Sequence, residues 1–241
     1  MIAAQHIQNK VADISPAQVF TIADLGFPSE WWENVRVKLG RMVKSGLIER
    51  AGKGRYYKPK TSVFGKIGPD RNEVVKDLLY TNGILTGYLT GYSVWNQMGL
   101  TSQVSSMVII GSSHRHDPVK RGHYQVRFIM QANKITPANI PLLQILDALK
   151  LIKHIPDTTI DRSITVLRTH IILLEEKQLS MLVKLSMKYP PRVRALLGAI
   201  LHAADKNKHL AVLKNSLNPT TVYSLGINLS TDIDFNGWNI K

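Results

Sequence analysis

The sequence predicts a helix-rich α+β fold, and three observations predict it. Apolar residues recur at helical spacing within Glu30–Ser45 and again, in several stripes, from Pro141 onwards. Between these regions lie short β-branched and aromatic runs bounded by glycine, which read as strands. With 241 residues, 44% of them hydrophobic, the chain can close a real core in one large or two smaller domains. Low-complexity tracts are missing, so wholesale disorder is not expected.

Taken in order, Ile2–Val11 reads as a first helix. Pro16–Leu25 reads as a second, with Ser15 as its cap and Gly26 as its stop, before a short Phe27-Pro28 turn. The third, Glu30–Ser45, has Ser29 at the N-cap and Gly46 at the position after the C-cap. Trp32, Val35, Leu39, Met42 and Val43 fall on one side of it as a core stripe. Gly40 costs about 1 kcal/mol relative to alanine in mid-helix and is expected to mark a close helix contact. Leu47–Ala51 and Arg55–Lys58 then form two short strands around Gly52-Lys53-Gly54, with Trp32 and Tyr56 filling the space between helix and flap. Three helices followed at once by a basic hairpin make a winged helix-turn-helix over residues 1–62, closed at Pro59.

The remainder, 63–241, divides into a mixed α/β part (63–135) and a mainly helical part (136–241). Lys60–Asp70 lacks periodicity and reads as a linker or docking strap. Arg71–Tyr80 and Tyr92–Gly99 read as helices, and Ser106–Gly111 and Tyr124–Met130 as strands flanking a polar, basic loop. Three apolar stripes follow: Leu142, Ile145, Leu146, Leu149 and Ile152; then Ile164, Leu167, Ile171 and Leu174; then Val193, Leu196, Leu197, Ile200 and Leu201. Pro191 suits the first position of the last helix.

The charge is strongly basic, with 31 Lys and Arg against 17 Asp and Glu, a net +14. Such an excess marks a polyanionic partner, nucleic acid or an anionic membrane. The apolar stretches Ile140–Ile152 and Ile164–Leu174 are broken by Gln144, Asp147, Lys150, Arg168 and His170, so no membrane span is expected. Met1–Lys10 has no signal-peptide pattern, and a cytoplasmic location is expected. Cysteine is absent, which removes disulfides, thiolate metal sites and cysteine nucleophiles. Nine basic residues and one acid occupy residues 36–60, whereas residues 1–35 hold one basic residue and four acids. Counterion release on meeting DNA phosphates rewards that clustering. On the helix Glu30–Ser45, Asn34, Val37 and Arg41 are assigned to base edges, and Arg36, Lys38 and Lys44 to phosphates. Lys53 and Arg55 on the flap are assigned to the backbone or the adjacent minor groove. Trp31 is assigned to packing.

Arg192 and Arg194 sit in a helix's first turn, where the dipole disfavours cations. Either they meet an intramolecular partner such as Glu175 or Glu176, or they form a second anion-contacting surface. Enzymatic readings fail on spacing. Gly111-Ser112 after a strand suggests a nucleotidyltransferase, but the following window HRHDPVKRGHYQV offers only Asp117 where a metal-holding Asp-x-Asp is required, and Asp232-Ile233-Asp234 lies far downstream. Pro69-Asp70 and Glu175-Glu176-Lys177 are too far apart for a compact nuclease site. His114, His116 and His123 lie among cations that oppose a metal, so a phosphate-facing or solvated hairpin is expected, without metal or cofactor.

The segment VRVKLGRMVKSGLIERAGKGRYYKP from Val35, followed by Phe64-Gly65-Lys66 and Pro69, resembles the AbiEi-type antitoxins of type IV (abortive-infection) toxin–antitoxin systems. The resemblance continues through TGYSVWNQMGLTSQV (from Thr90), YPPRVRALLGAI (from Tyr189), LNPTTVYSLG (from Leu217) and Trp238-Asn239-Ile240, with Gly40 departing from the residue type expected there. It implies an amino-terminal domain that binds inverted repeats in the promoter of its own operon. It also implies a remainder that counteracts a co-encoded toxin resembling a nucleotidyltransferase, with or without direct contact. The alternative is a winged-helix protein-interaction module that does not bind DNA.

Overall fold

The structure, a computed structural model, describes residues 2–63, 65–227 and 233–241. Phe64 of the quoted motif and Asp232 of the Asp-Ile-Asp triplet lie outside the described residues. The chain runs through α1 (Ile2–Ala12), β1 (Val19–Phe20), α2 (Trp32–Lys44), β2 (Glu49–Gly52), β3 (Arg55–Tyr57), β4 (Lys60–Ser62), β5 (Gly65–Ile67) and α3 (Arg71–Val75). It continues through β6 (Tyr80–Thr81), β7 (Ile84–Leu85), β8 (Gly87–Thr90), α4 (Tyr92–Gln97), β9 (Met107–Ser112), β10 (Val119–Arg121) and β11 (Tyr124–Met130). Five helices close it: α5 (Ile140–Lys150), α6 (Ile160–Ile172), α7 (Glu176–Ser186), α8 (Pro191–His202) and α9 (Leu210–Asn215). The fold is therefore mixed α and β. It divides into two units, Met1–Leu78 with Val119–Gln125, and Leu79–Pro118 with Val126–Lys241. The first unit extends past the boundary expected at residue 62 and takes in a hairpin tip from far along the chain.

In the first unit, Ile7 and Val11 of α1, Phe20 of β1, Leu25, Val35, Leu39 and Met42 of α2, Ile48 and Tyr56 of β3 share one core. The sheet order is β1-β3-β2, with Val19 opposite Tyr57 and Phe20 opposite Tyr56. The second helix expected over Pro16–Leu25 does not form. Ala17 takes a left-handed φ of 64°, and its N–H donates to the Lys58 carbonyl at 2.7 Å. Val19 and Phe20, branched and aromatic, then join the sheet, and pairing with β3 outweighs their weak helical preference. A single 3₁₀ turn, Ala23–Leu25, is what remains.

Other boundaries also moved. Lys60–Asp70 is not a featureless strap but holds the β4–β5 hairpin, with Lys60 opposite Ile67. The helix expected over Arg71–Tyr80 starts as read, capped by the Asp70 carboxylate accepting from the Glu73 N–H at 3.0 Å. Its α-helical part ends at Val75 and a 3₁₀ turn, Lys76–Leu78, follows before Tyr80–Thr81 pairs with Ile84–Leu85. Asn82 and Gly83 between them both have positive φ, 50° and 76°, the turn that an Asn-Gly dipeptide favours between paired strands.

In the second unit, β9 lies between β8 and β11. The helices α5 to α8 bury the apolar stripes read from the sequence, with Leu174 only half-buried at the edge. Pro191 opens α8 as expected. Trp238 lies against Gly198 of α8 so closely that a Cβ there would come within 2.2 Å of the ring. Among the described residues no helix is long and apolar enough to cross a membrane.

One polar network runs through this core. Asp147 of α5, 1% exposed, accepts from the Tyr88 hydroxyl at 2.6 Å and the Tyr189 hydroxyl at 2.8 Å. Gln131 donates to both phenolic oxygens at 2.8 Å, and its own oxygen accepts from the Asn133 N–H at 2.8 Å. Gly111 makes this geometry possible: it stands opposite Tyr88 across β8–β9, and a Cβ there would meet the tyrosine ring at 2.4 Å. The glycine of Gly111-Ser112 is thus explained by packing. Burial raises the Asp147 carboxyl from its ordinary value to about 6, against the lowering pull of the two hydroxyls. The folded chain therefore holds that proton more tightly than the unfolded chain. Its stabilising contribution is full below pH 4 and is lost as pH rises through about 6. Denaturant melts of wild type and Asp147→Asn at pH 4 and pH 7.5 check this: the stability difference should shift against wild type by up to about 3 kcal/mol on going to the higher pH.

Candidate nucleic-acid interface

Helix α2 is built to present one face to solvent. Val35 and Leu39 are fully buried and Met42 nearly so, which fixes the rotation of the helix about its axis. The N-terminus differs from expectation. Ser29 does not cap it but begins a 3₁₀ turn, Ser29–Trp31, and no side chain caps α2. Trp32 is not in the core: it is 40% exposed, and its indole N–H donates to the Phe27 carbonyl at 3.1 Å. Trp31 is 41% exposed and stacks on Phe27 with ring centroids 6.2 Å apart. Tyr56 does fill the core. At the other end, Gly46 (φ 73°) donates to the Val43 carbonyl and Leu47 to Met42, a Schellman closure that also delays the start of β2 until Glu49. Nothing lies within 4 Å of a Cβ built on Gly40, so no close helix contact explains that glycine.

Buried residues on one side leave Asn34, Val37, Arg41 and Lys44 exposed on the other. Arg36 is exposed but pairs with Glu33 at 2.6 Å, a contact of little strength in water. Lys38 is half-buried and donates to Gln8 of α1 at 3.3 Å. Lys53 stands exposed at the tip of the β2–β3 flap beside Gly54. Arg55 does not stand free: its guanidinium pairs with Asp77, which also accepts from Arg121 at 3.3 Å. Its flap position therefore serves the packing of the first unit. Arg50, counted in the basic cluster but not among the residues assigned to DNA, is exposed on β2; the alternation of Glu49, Arg50 and Ala51 on a strand is its signal.

The acid within residues 36–60 is Glu49, and it is neutralised internally. It accepts from the Tyr57 hydroxyl and from Lys66 at 3.0 Å, and both hold its carboxyl below the usual range. Burial, with Glu49 beside it, pushes the Tyr57 phenol up to about 12. Among the described residues, Arg41, Lys44, Arg50 and Lys53 make no ion pair. Cations so placed can meet phosphates without first breaking a bond within the protein.

The remaining candidates resolve differently. Neither Glu175 nor Glu176 serves Arg192 or Arg194. Glu175 forms a capping box with Gln178, and Glu176 is held by Lys208 and His209, both at 3.0 Å, which lower its carboxyl. Arg192 instead donates to the Lys150 carbonyl at 2.8 Å, and the Arg194 Nε is buried without a hydrogen-bond partner. His114 and His116 border an open cleft with Phe128, while His123 belongs to the first unit. Among the described residues no group of His, Asp and Glu is arranged to hold a metal ion.

A mixed α+β chain with a basic, solvent-facing helix is the class these features define. The model of the family described as "Family of unknown function (DUF6088)" matches residues 6–179, and the chain belongs to that family. The crystal structure of the RV2827C protein from Mycobacterium tuberculosis is similar in fold, with a TM-score of 0.55 at 12% identity, covering 92% of this chain and 84% of that one. No curated protein matches the sequence.

The open space at Gly40 yields a test of α2 itself. Gly40→Ala should stabilise the first unit by about 0.5–1 kcal/mol, read as a rise in denaturation midpoint with unchanged slope.

Proposed function

We propose that the chain is a double-stranded-DNA-binding antitoxin that represses its own operon through a winged helix-turn-helix and has no catalytic activity of its own. The observation that carries this reading is the outward face of α2, where Asn34, Val37, Arg41 and Lys44 are exposed opposite a buried stripe and Glu33, the one acid of the helix, is paired with Arg36. The element order supports it: helix, strand, two 3₁₀ turns, helix, then a two-stranded flap, with the first strand paired to the last. In this arrangement the 3₁₀ turn Ala23–Leu25 stands in for the second helix and α2 is the recognition helix. Asn34, Val37 and Arg41 reach base edges in the major groove, and Arg36, Lys38 and Lys44 reach phosphates. Lys53 at the flap tip tracks the backbone or the neighbouring minor groove.

The antitoxin part of the proposal rests on the resemblance of residues 35–60, 90–104, 189–200 and 217–226 to AbiEi-type antitoxins. On that resemblance, the DNA is the chain's own promoter with its inverted repeats, the protein is cytoplasmic, and the second unit opposes a nucleotidyltransferase-like toxin. A second reading, a winged helix that contacts protein instead of DNA, draws on Trp31, Trp32 and Val37, which are 40–47% exposed around the same helix.

Titration of a duplex carrying the upstream region of the gene, over several salt concentrations, separates the two. Wild type should bind with affinity that falls steeply with salt. Arg41→Ala should lose roughly 1–3 kcal/mol on the cognate duplex and relax selectivity. Lys53→Ala should weaken all duplexes alike and reduce the salt slope by about one. Affinity that neither change alters would exclude this docking.

A further inference from the structure

The first unit contains a small cleft separate from the exposed face of α2. Its volume is about 130 Å³, and its walls include Arg50 and Tyr57 of the flap, Pro69, and Arg121, His123 and Tyr124 from the Val119–Gln125 hairpin tip. The hairpin tip reaches the flap at Gly122, whose left-handed φ of 57° lets the turn pass close to the Ala51 carbonyl; a Cβ there would lie 3.8 Å from that oxygen. Two stretches of chain far apart in sequence thus supply the two arginines.

The charge balance of the cleft is unfinished. Asp77 is shared between Arg55 and Arg121, so one carboxylate answers two guanidinium groups. It takes an Nη of Arg121, whose Nε has no hydrogen-bond partner. Arg50 has no acidic partner among the described residues, and Glu49 is already satisfied by Tyr57 and Lys66. The Tyr57 hydroxyl turns away to Glu49, leaving its ring as a wall. Arg71 lies over the Tyr124 ring, 5.8 Å from its centroid, and steadies the opposite side. The walls of the cleft thus combine guanidinium groups that outnumber their carboxylate partners with the rings of Tyr57 and Tyr124. Sites that enclose a drug-sized molecule run from about 300 Å³ upwards. This volume suits a single tetrahedral oxyanion.

We propose that this cleft binds a phosphate group through Arg50 and Arg121. Guanidinium forks match phosphate oxygens in geometry and charge. The phosphate comes either from the backbone of a bound duplex or from a free phosphate monoester, and the two sources are distinguishable.

Phosphorus-31 line broadening of inorganic phosphate by the full chain, without DNA, tests the site. Wild type should give saturable broadening. Arg50→Gln and Arg121→Met should raise the half-saturating concentration by at least about fivefold, the effect of losing a charge-assisted bond. Lys184→Gln, an exposed change on α7, should leave it unaltered. Arg121→Met also removes a partner of Asp77; if that variant fails to fold, Arg50→Gln, at an exposed position, carries the test alone. Duplex that displaces the phosphate, with a salt slope lowered by about one in Arg50→Gln, assigns the site to the DNA backbone. Tighter broadening by adenosine 5′-monophosphate, undisturbed by duplex, assigns it to a free monoester. Broadening absent in wild type, or equal in Arg50→Gln, would overturn the proposal. Because no DNA is needed for the first measurement, its failure leaves the DNA-binding reading of α2 untouched.

Discussion

Val35, Leu39 and Met42 can all be buried in only one rotation of α2, and that rotation decides what the helix offers to solvent. Ile7 and Val11 from α1, Phe20 from β1 and Tyr56 from β3 complete the pocket into which the three side chains fit. Burying side chains of this size contributes on the order of 1.5–3 kcal/mol each. No rearrangement of the exposed lysines and arginines could recover that loss. The cations of α2 are consequently held outward by packing, and their display needs no charge-to-charge contact.

The first unit shows how such a display is kept clean. Apart from Glu33, exposed on α2 beside Arg36, three acids are taken up internally: Glu49 by Tyr57 and Lys66, Asp77 by Arg55 and Arg121, Glu73 by the Val19 N–H. Each of these contacts ties a strand or hairpin to its neighbour. The same carboxylates that stabilise the unit are thereby kept from neutralising Arg41, Lys44 and Lys53. Arg55 illustrates the division. From sequence it belongs to the flap's basic surface, and in the fold it is a structural cation.

Helical periodicity made the helices legible. The stripes of α2, α5, α6 and α8 were readable because a buried face leaves a regular mark, and Gly46 and Pro191 were readable as an end and a start. The short strands were not. Val19–Phe20 has two residues and gains its identity only from β3, which lies far along the chain, so the local preference for a helix misled. Trp32 departs from its pattern for a related reason: its spacing suits a core stripe, but the Phe27 carbonyl offers its indole N–H a partner at the surface. Arg50 and Arg121 meet only through tertiary contact, and no spacing rule joins them. The Asn82-Gly83 turn, by contrast, carried a signal in plain sight.

The residues that carry the family resemblance serve packing as much as function. Tyr189 anchors the Asp147 network, Gly198 accommodates Trp238, and Gly46 closes α2. Packing accounts for such residues by itself; whether the fold meets DNA depends on α2. Amide hydrogen exchange of the full chain with and without a duplex of its own upstream region addresses that point most directly. Protection concentrated in Asn34–Lys44 and at the flap tip around Lys53, and absent with an unrelated duplex at the same salt, is the expected result. Exchange unchanged there, or altered only in the helices of the second unit, would contradict it.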